Sequence, residues 1–325
     1  MQSNFIYTKG YDISFWGLNR FHPFDGLKFS KAWHIFNTTF KDKAQALWIE
    51  PQAPASETLL LTLHSQAYLT SLLQSETISH VIEIAATKYL PNSLLQKKLL
   101  NPLKLACTGT VLAAEAALNN KSIAMNFGGG YHHAFAGHGD GFCFFGDAAL
   151  SIINCRQKGL LSAHDKILMI DLDAHRGNGF ESVMGKDAAI RIFDMYNYQT
   201  YPGLYEGDPT HHPYLIPLKT GIRDEEYLDI LNTELVKFLN ENSDARFVLY
   251  NAGNDIFEND RLGKLSVSYN GVLKRDAFVL EQLAKRHLPT AIMTSGGYTR
   301  TSHRFIAELA KSVINVTNQE VTPTT

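Results

Sequence analysis

The sequence predicts an α/β fold, with a central, mostly parallel sheet carrying helices on both faces. Three observations lead there: short apolar runs rich in β-branched residues, longer segments of helical period between them, and polar clusters where the runs end. Five runs read as buried strands: SIAMNF (122–127), KILMIDLD (166–173), AIRIF (189–193), RFVLYN (246–251) and TAIMTS (290–295). Between or beside them lie PLKLACTGTVLAAEAALNN (102–120), GDAALSIINCRQ (146–157), DEEYLDILNTELVKFLNEN (224–242) and GVLKRDAFVLEQLAKRH (271–287). Each spaces its apolar residues three and four apart, as helices that bury one face do. The segment ETLLLTLHSQAYLTSLL (57–73) suits either a short strand or part of a helix. No internal repeat or linker interrupts the chain. One domain spanning 1–325 is expected, with a polar tail, 319–325, that frays.

Composition narrows the function. Hydrophobic residues make up 45% and charged residues 19%, enough for a large core. A net charge of −2 offers no basic footprint, so direct nucleic-acid binding is not expected. Cys107, Cys143 and Cys155 lack metal-ligand spacing and suggest reduced thiols. The N-terminus has no secretory pattern, and no apolar run reaches the roughly 18 residues of a membrane span. A soluble protein of the cytoplasm or nucleus is the expectation.

In parallel sheets, ligands collect beyond the carboxyl ends of the strands. Polar clusters sit at those ends here: GGGYHH, DLDAHRGN, Asp194, NAGND and SGGY. In IDLDAHRGN (170–178), Asp171, Asp173 and His175 alternate, which on a strand places them on one face. A catalytic zinc needs three protein ligands drawn from imidazole and carboxylate groups. Asp173 and His175 supply two and Asp255 is the natural third, although Asp after a strand commonly caps a turn. Asp171 lies deeper and requires a cation or a donor. It could share a monovalent cation with Asp194 or orient a histidine, and Asp194 could equally be an N-cap. The glycines of NFGGGYHH fit no phosphate-binding pattern, but they allow close backbone approach while presenting His132 and His133. Adjacent histidines are usually plain loop residues. Beside a metal-bound water they become a base and an electrostatic partner. Phe142 could form an apolar wall, and His138 is given no role. Tyr298, after two glycines, could donate to a carbonyl oxygen and to the oxyanion formed from it.

HPFD (22–25), GGGYHH, GFCFFGDAAL, IDLDAHRGNG, NAGNDIFENDRLG and SGGY occur in the order found in zinc-dependent histone deacetylases, which the chain resembles over roughly residues 20–315. Within that superfamily it is most similar to the class IV enzymes, through LPNSLLQKKLLNPLK, MYNYQTYPG, DRLGKLSVSYNGVLKRD and TSGGY. The resemblance implies an arginase/deacetylase fold and zinc-dependent hydrolysis of an acyl group from a lysine side chain of a protein or peptide, with long-chain fatty acyl groups included. It implies zinc ligands Asp173, His175 and Asp255, tandem histidines His132 and His133, and a carbonyl-polarising Tyr298. Asp171 and Asp194 would fall at a structural potassium site, with main-chain carbonyls of Asp173 and His175, and Asp171 would also back His132. Gly141, Phe142 and Tyr201 would line a narrow acyl-lysine tunnel.

Two positions depart from many relatives. Asn178 stands where they have Asp, so His133 gains an orienting hydrogen bond without a full negative charge and should be a weaker base. Lys28 stands where they place an Arg near an internal exit for acetate. Hydrolysis of a small acylated amine such as an acetylpolyamine is the alternative on this scaffold. A metal-bound acyl-lysine-binding scaffold is the non-enzymatic one, and His132, His133 and Tyr298 together argue against it. A two-metal centre would want further carboxylates beside His175, where the chain has Arg176, Gly177 and Asn178.

Overall fold

The computed structural model describes residues 3–14, 24–203 and 213–319. His22 and Pro23 of HPFD, and the expected tail beyond Gln319, lie outside the described residues. Among the described residues, eight strands form one sheet: β1 (Asn4–Ile6), β2 (Trp48–Ile49), β3 (Ile123–Asn126), β4 (Ile167–Asp171), β5 (Ile190–Asn197), β6 (Leu215–Leu218), β7 (Phe247–Asn251) and β8 (Thr290–Met293). Their order is β2-β1-β3-β8-β7-β4-β5-β6, and each pairing is parallel. The five runs read from the sequence are the five contiguous central strands. The three others lie toward the edges; β1 and β2 are only three and two residues long, and Pro217, uncommon inside a strand, masks β6.

Alternation across the sheet divides the core. Leu168 and Ile170 of β4 pack on one face and Ile167 and Met169 on the other. The first face is covered by α1 (Lys28–Phe40), α5 (Asp224–Glu241), α6 (Tyr269–Lys285) and α7 (Ser302–Gln319), the second by α2 (Asn101–Asn120), α3 (Asp147–Gln157) and α4 (Asn178–Met184). α1 and α7 go beyond the four long helical segments that the sequence predicts. In α7, Phe305, Ile306, Leu309, Ala310, Val313 and Ile314 form a buried stripe at helical spacing. Segment 57–73 resolves as helix rather than strand. Ser56 and Ser65 cap short helices Glu57–Leu60 and Gln66–Ser71 by accepting the N–H of Leu59 and Tyr68.

Two strand ends differ from the expectation. β4 stops at Asp171, so Asp173 and His175 lie in the bend beyond it rather than on the strand face. β5 runs on through DMYN to Asn197, so Asp194 is inside a buried strand and is no N-cap; it pairs in register with Asp171. Cys107, Cys143 and Cys155 are free and buried. No helix among the described residues is long and apolar enough to cross a membrane.

α1 reaches the sheet through an aromatic cluster. The Phe36 ring lies 4.4 Å from Phe5 of β1 and 5.7 Å from Phe127, and Trp33 meets Phe127 edge-on at 5.3 Å. This packing fixes both the β1 edge and Lys28 at the start of α1. Phe36→Ala is expected to cost about 3–5 kcal/mol in urea unfolding, as removal of a fully buried ring does. Tyr89→Ala, at an 80% exposed position, should stay within about 0.5 kcal/mol of the parent.

Candidate active site

The bend after β4 is a series of aspartate-capped turns. Asp171 Oδ1 accepts the N–H of Asp173 at 3.1 Å, and Asp173 Oδ1 accepts the N–H of His175 at 3.0 Å. Local hydrogen bonding, not strand alternation, therefore sets the D-x-D-x-H spacing. Across from it, Asp255 follows β7 and accepts the N–H of Ala174 at 2.8 Å. His175 Nδ1 lies 2.9 Å from Asp255 Oδ2 and 3.1 Å from Asp173 Oδ1. One ligand atom from each of Asp173, His175 and Asp255 falls within 4.8 Å of the other two. A Cβ on Gly296 would strike the Asp173 and Asp255 carboxylates, so only glycine lets this backbone pass beneath them. Ser295 Oγ and Gly296 N–H each donate to Asp173 Oδ2 at 2.7 Å.

The charges suit a cation. Burial and the Asp173 carboxylate raise Asp255 toward about 7, while Asp173 stays strongly acidic despite burial because of His132 and His175. Burial opposes a charge on His175, yet the two carboxylates hold its imidazole well above the ordinary value. Two buried carboxylates facing one imidazole thus demand positive charge, and a zinc ion with three such ligands fits. The following residues turn elsewhere: Arg176 binds Glu181 at 2.6 Å, and Asn178 faces His133. Among the described residues this is the sole group with metal-ligand spacing.

The loop after β3 brings in the tandem histidines. Asp147, the first residue of α3, accepts the N–H of Gly130 and Tyr131, both at 2.8 Å, and Thr110 Oγ1 at 2.6 Å. His132 Nδ1 contacts Asp171 Oδ2 at 2.8 Å, and Asn251 Nδ2 donates to Asp171 Oδ1 at 2.9 Å. Burial would lower His132, but Asp171 and Asp173 outweigh it and raise the imidazole to about 9. His133 Nδ1 meets Asn178 Oδ1 at 2.7 Å. Burial, His132 and His175 push His133 well below the ordinary value, and the neutral amide only partly offsets them. One histidine is thus built to hold charge and the other to be neutral. Asp194 lies beneath, accepting the N–H of Gly177 at 2.9 Å through Oδ2, while its buried Oδ1 has no hydrogen-bond partner. Burial, Asp171 and Glu181 raise its carboxyl well above the usual range.

The mouth is shaped by a tight hairpin. Asp140 and Cys143 exchange backbone hydrogen bonds, and Gly141 and Phe142 between them both adopt positive φ. The Phe142 ring then faces Tyr298 at 6.1 Å, and Tyr298 faces His175 at 6.2 Å. Burial, Asp173 and Asp255 raise the Tyr298 phenol well above its ordinary value, so it remains a donor. Tyr201 sits on the rim, 4.9 Å from the His133 ring, with its hydroxyl donating to Asp140 at 2.6 Å. His138, given no role, stacks on Phe135. Lys28 is fully buried under the site, where Nζ donates to Ser295 O at 2.7 Å and lies 4.6 Å from the Phe24 ring. Burial lowers it to about 8, against the pull of Asp255 and Asp173.

A sequence profile of the histone deacetylase domain matches residues 22–316. The chain belongs to the histone deacetylase family. That is a family of hydrolases, and the relatives bear the assignment out. Histone deacetylase 2 of Arabidopsis thaliana is 37% identical over 314 residues, 97% of this chain and 78% of that protein. Histone deacetylase 1 of Homo sapiens is 31% identical over 201 residues, 59% of this chain and 40% of that one. The crystal structure of the HDA15 HD domain matches with a TM-score of 0.77 at 18% identity, covering 100% of this chain and 91% of that one, a likeness of fold. The parallel sheet with helices on both faces is the arginase/deacetylase fold.

Sequence reasoning gave no role to Asp147, Ser295 or Asn251, although each stands inside or beside a motif it singled out. What they do depends on contacts between segments distant in the chain. Asn178 Oδ1 lies 2.7 Å from His133 Nδ1, and its effect on that histidine has a direct test. A carboxylate at 178 would favour the His133 imidazolium and raise its pKa. Since a base must be deprotonated to act, Asn178→Asp should shift the acidic limb of the kcat/KM profile to higher pH. An unmoved limb would contradict this account of His133.

Proposed function

We propose that this histone deacetylase family member hydrolyses the amide bond of Nε-acyl-lysine in a protein or peptide, with zinc held by Asp173, His175 and Asp255. The observation that carries the reading is the buried carboxylate–imidazole–carboxylate group lying beside His132, held by Asp171, and His133, held by Asn178, with the Tyr298 ring 6.2 Å from His175. A zinc ion bound there would polarise the acyl carbonyl and lower the pKa of a coordinated water toward roughly 7. His133, neutral and oriented by Asn178, accepts the proton of the attacking water and returns one to the departing lysine amine. His132, held by Asp171, supplies positive charge next to the developing oxyanion. The Tyr298 hydroxyl donates to that oxyanion. Gly141, Phe142 and Tyr201 line the approach for the lysine stem. Within the family we place the chain with the class IV enzymes, a reading supported by its segments LPNSLLQKKLLNPLK and MYNYQTYPG and by Asn178.

Asp171 and Asp194 are proposed to hold a structural potassium ion with main-chain carbonyls of Asp173 and His175. The partnerless Oδ1 of Asp194, buried in register beside Asp171, supports this site. Acyl groups longer than acetyl are supported by the apolar residues Ile13, Phe24, Phe29, Ile82, Leu99 and Leu103, which line one pocket together with His133 and Tyr298.

Turnover of acetyl-, octanoyl- and myristoyl-lysine peptides and of an acetylpolyamine, with zinc and with a chelator, tests these readings together. Peptide hydrolysis abolished by chelation is expected, with kcat/KM higher for octanoyl or myristoyl than for acetyl. Acetyl preference would overturn the chain-length reading, and turnover of the polyamine alone would overturn the lysine substrate. Tyr298→Phe should lower kcat about 10²–10³-fold with zinc retained, as loss of one oxyanion donor does. A near-parental rate would remove Tyr298 from the mechanism.

A further inference from the structure

The KRD segment of α6 takes no part in the chemistry above, yet its Arg275 is fully buried behind the site. Arg275 Nε donates to Asp276 Oδ1 at 2.9 Å, and Nη2 lies 2.9 Å from the same oxygen. Tyr250 Oη, from β7, donates to that oxygen at 2.6 Å and fixes the pair against the sheet. An ion pair between sequence neighbours could be purely structural, a means of seating α6. The other end of the guanidinium is what sets it apart. Nη1 donates to two main-chain carbonyls on different strand exits, Leu172 O at 3.0 Å and Gly253 O at 2.5 Å.

Leu172 immediately precedes Asp173, and Gly253 stands two residues before Asp255. The β4–β7 ladder is in register as far as Asp171 and Asn251 and continues with Leu172 N–H to Asn251 O at 3.0 Å. Beyond that rung the exits stay close, a Cβ on Gly253 falling 2.7 Å from Asp173 Cα, and Arg275 ties the two backbones together through Leu172 O and Gly253 O. A planar fork can grip Asp276 with one edge while a terminal nitrogen reaches both carbonyls; a lysine ammonium has no such reach.

We propose that Arg275 is a positioning residue for the metal ligands. It sets the spacing between the β4 and β7 exits, so that the Asp173 and Asp255 carboxylates face each other across one ion. The inference rests on the zinc reading given under the proposed function. Arg275→Lys, compared with the parent by competition against a chromogenic zinc chelator, tests it without reference to activity. The zinc dissociation constant should rise about 10–100-fold, the cost typical of losing a group that orients metal ligands. A purely structural Arg275 would lower the thermal midpoint and leave the dissociation constant unchanged. Equal zinc affinity in parent and variant therefore overturns the proposal, whatever the midpoint. A parent that takes no zinc from the chelator would instead overturn the zinc reading itself. If Arg275→Lys does not fold, Tyr250→Phe replaces it, since it loosens Asp276 and keeps the guanidinium. A rise near the lower end of the range, about 10-fold, is then expected, and unchanged affinity again overturns the proposal.

Discussion

Four aspartates from three separate stretches of the chain, Asp171, Asp173, Asp194 and Asp255, are all at most 1% exposed and lie in or just beyond the adjacent central strands β7, β4 and β5. Negative charge at that density, out of water, is the constraint on which the rest of the site depends. Breaking a buried charge pair typically costs about 3–5 kcal/mol, so each carboxylate must be met by donors or by cations. The chain supplies donors generously: main-chain N–H groups from Asp173, Ala174, His175, Gly177 and Gly296, and side chains from Ser295 and Asn251. After those are counted, the Asp173–His175–Asp255 group still calls for positive charge, and Asp194 Oδ1 still has no partner. Those two residual demands are what the proposed zinc and potassium ions would meet.

The same charge distribution separates two side chains that are chemically identical. His132 and His133 are neighbours in sequence, with ring centroids 4.1 Å apart. His132 faces the carboxylate of Asp171, and His133 faces the amide of Asn178. Asp171 and Asp173 favour charge on His132, whereas burial, His132 and His175 disfavour it on His133, which the neutral Asn178 amide only partly offsets. The charged neighbour in turn depresses the neutral one, so the division of labour reinforces itself.

Much of this was legible in the sequence because the central strands announce themselves. Continuous apolar runs that end in Gly, Asp, Asn or His marked five strands, and those five are contiguous in the sheet. β1 and β2 were hidden because two or three residues carry no periodicity, and β6 because Pro217 breaks its run. Strand alternation does not account for the spacing of Asp171, Asp173 and His175. β4 ends at Asp171, and side-chain caps on successive backbone N–H groups set the spacing instead. Asp194 was read as a strand end because it is polar, but its neighbours Met195 and Tyr196 keep β5 running through it. Arg275, Asp147 and Lys28 show the harder limit. Each acts on backbone or loop atoms supplied from elsewhere in the chain, and no local pattern encodes such a partner.

The claim that this site is organised around a cation is most directly tested by calorimetry on metal-stripped protein titrated with zinc and then unfolded by heat. The account predicts one equivalent bound per chain and a raised unfolding midpoint. The stabilisation should reach about 4 kcal/mol when free zinc is a thousandfold above its dissociation constant. A midpoint that does not respond to zinc, or binding that survives replacement of both Asp173 and Asp255 by Ala, would contradict it.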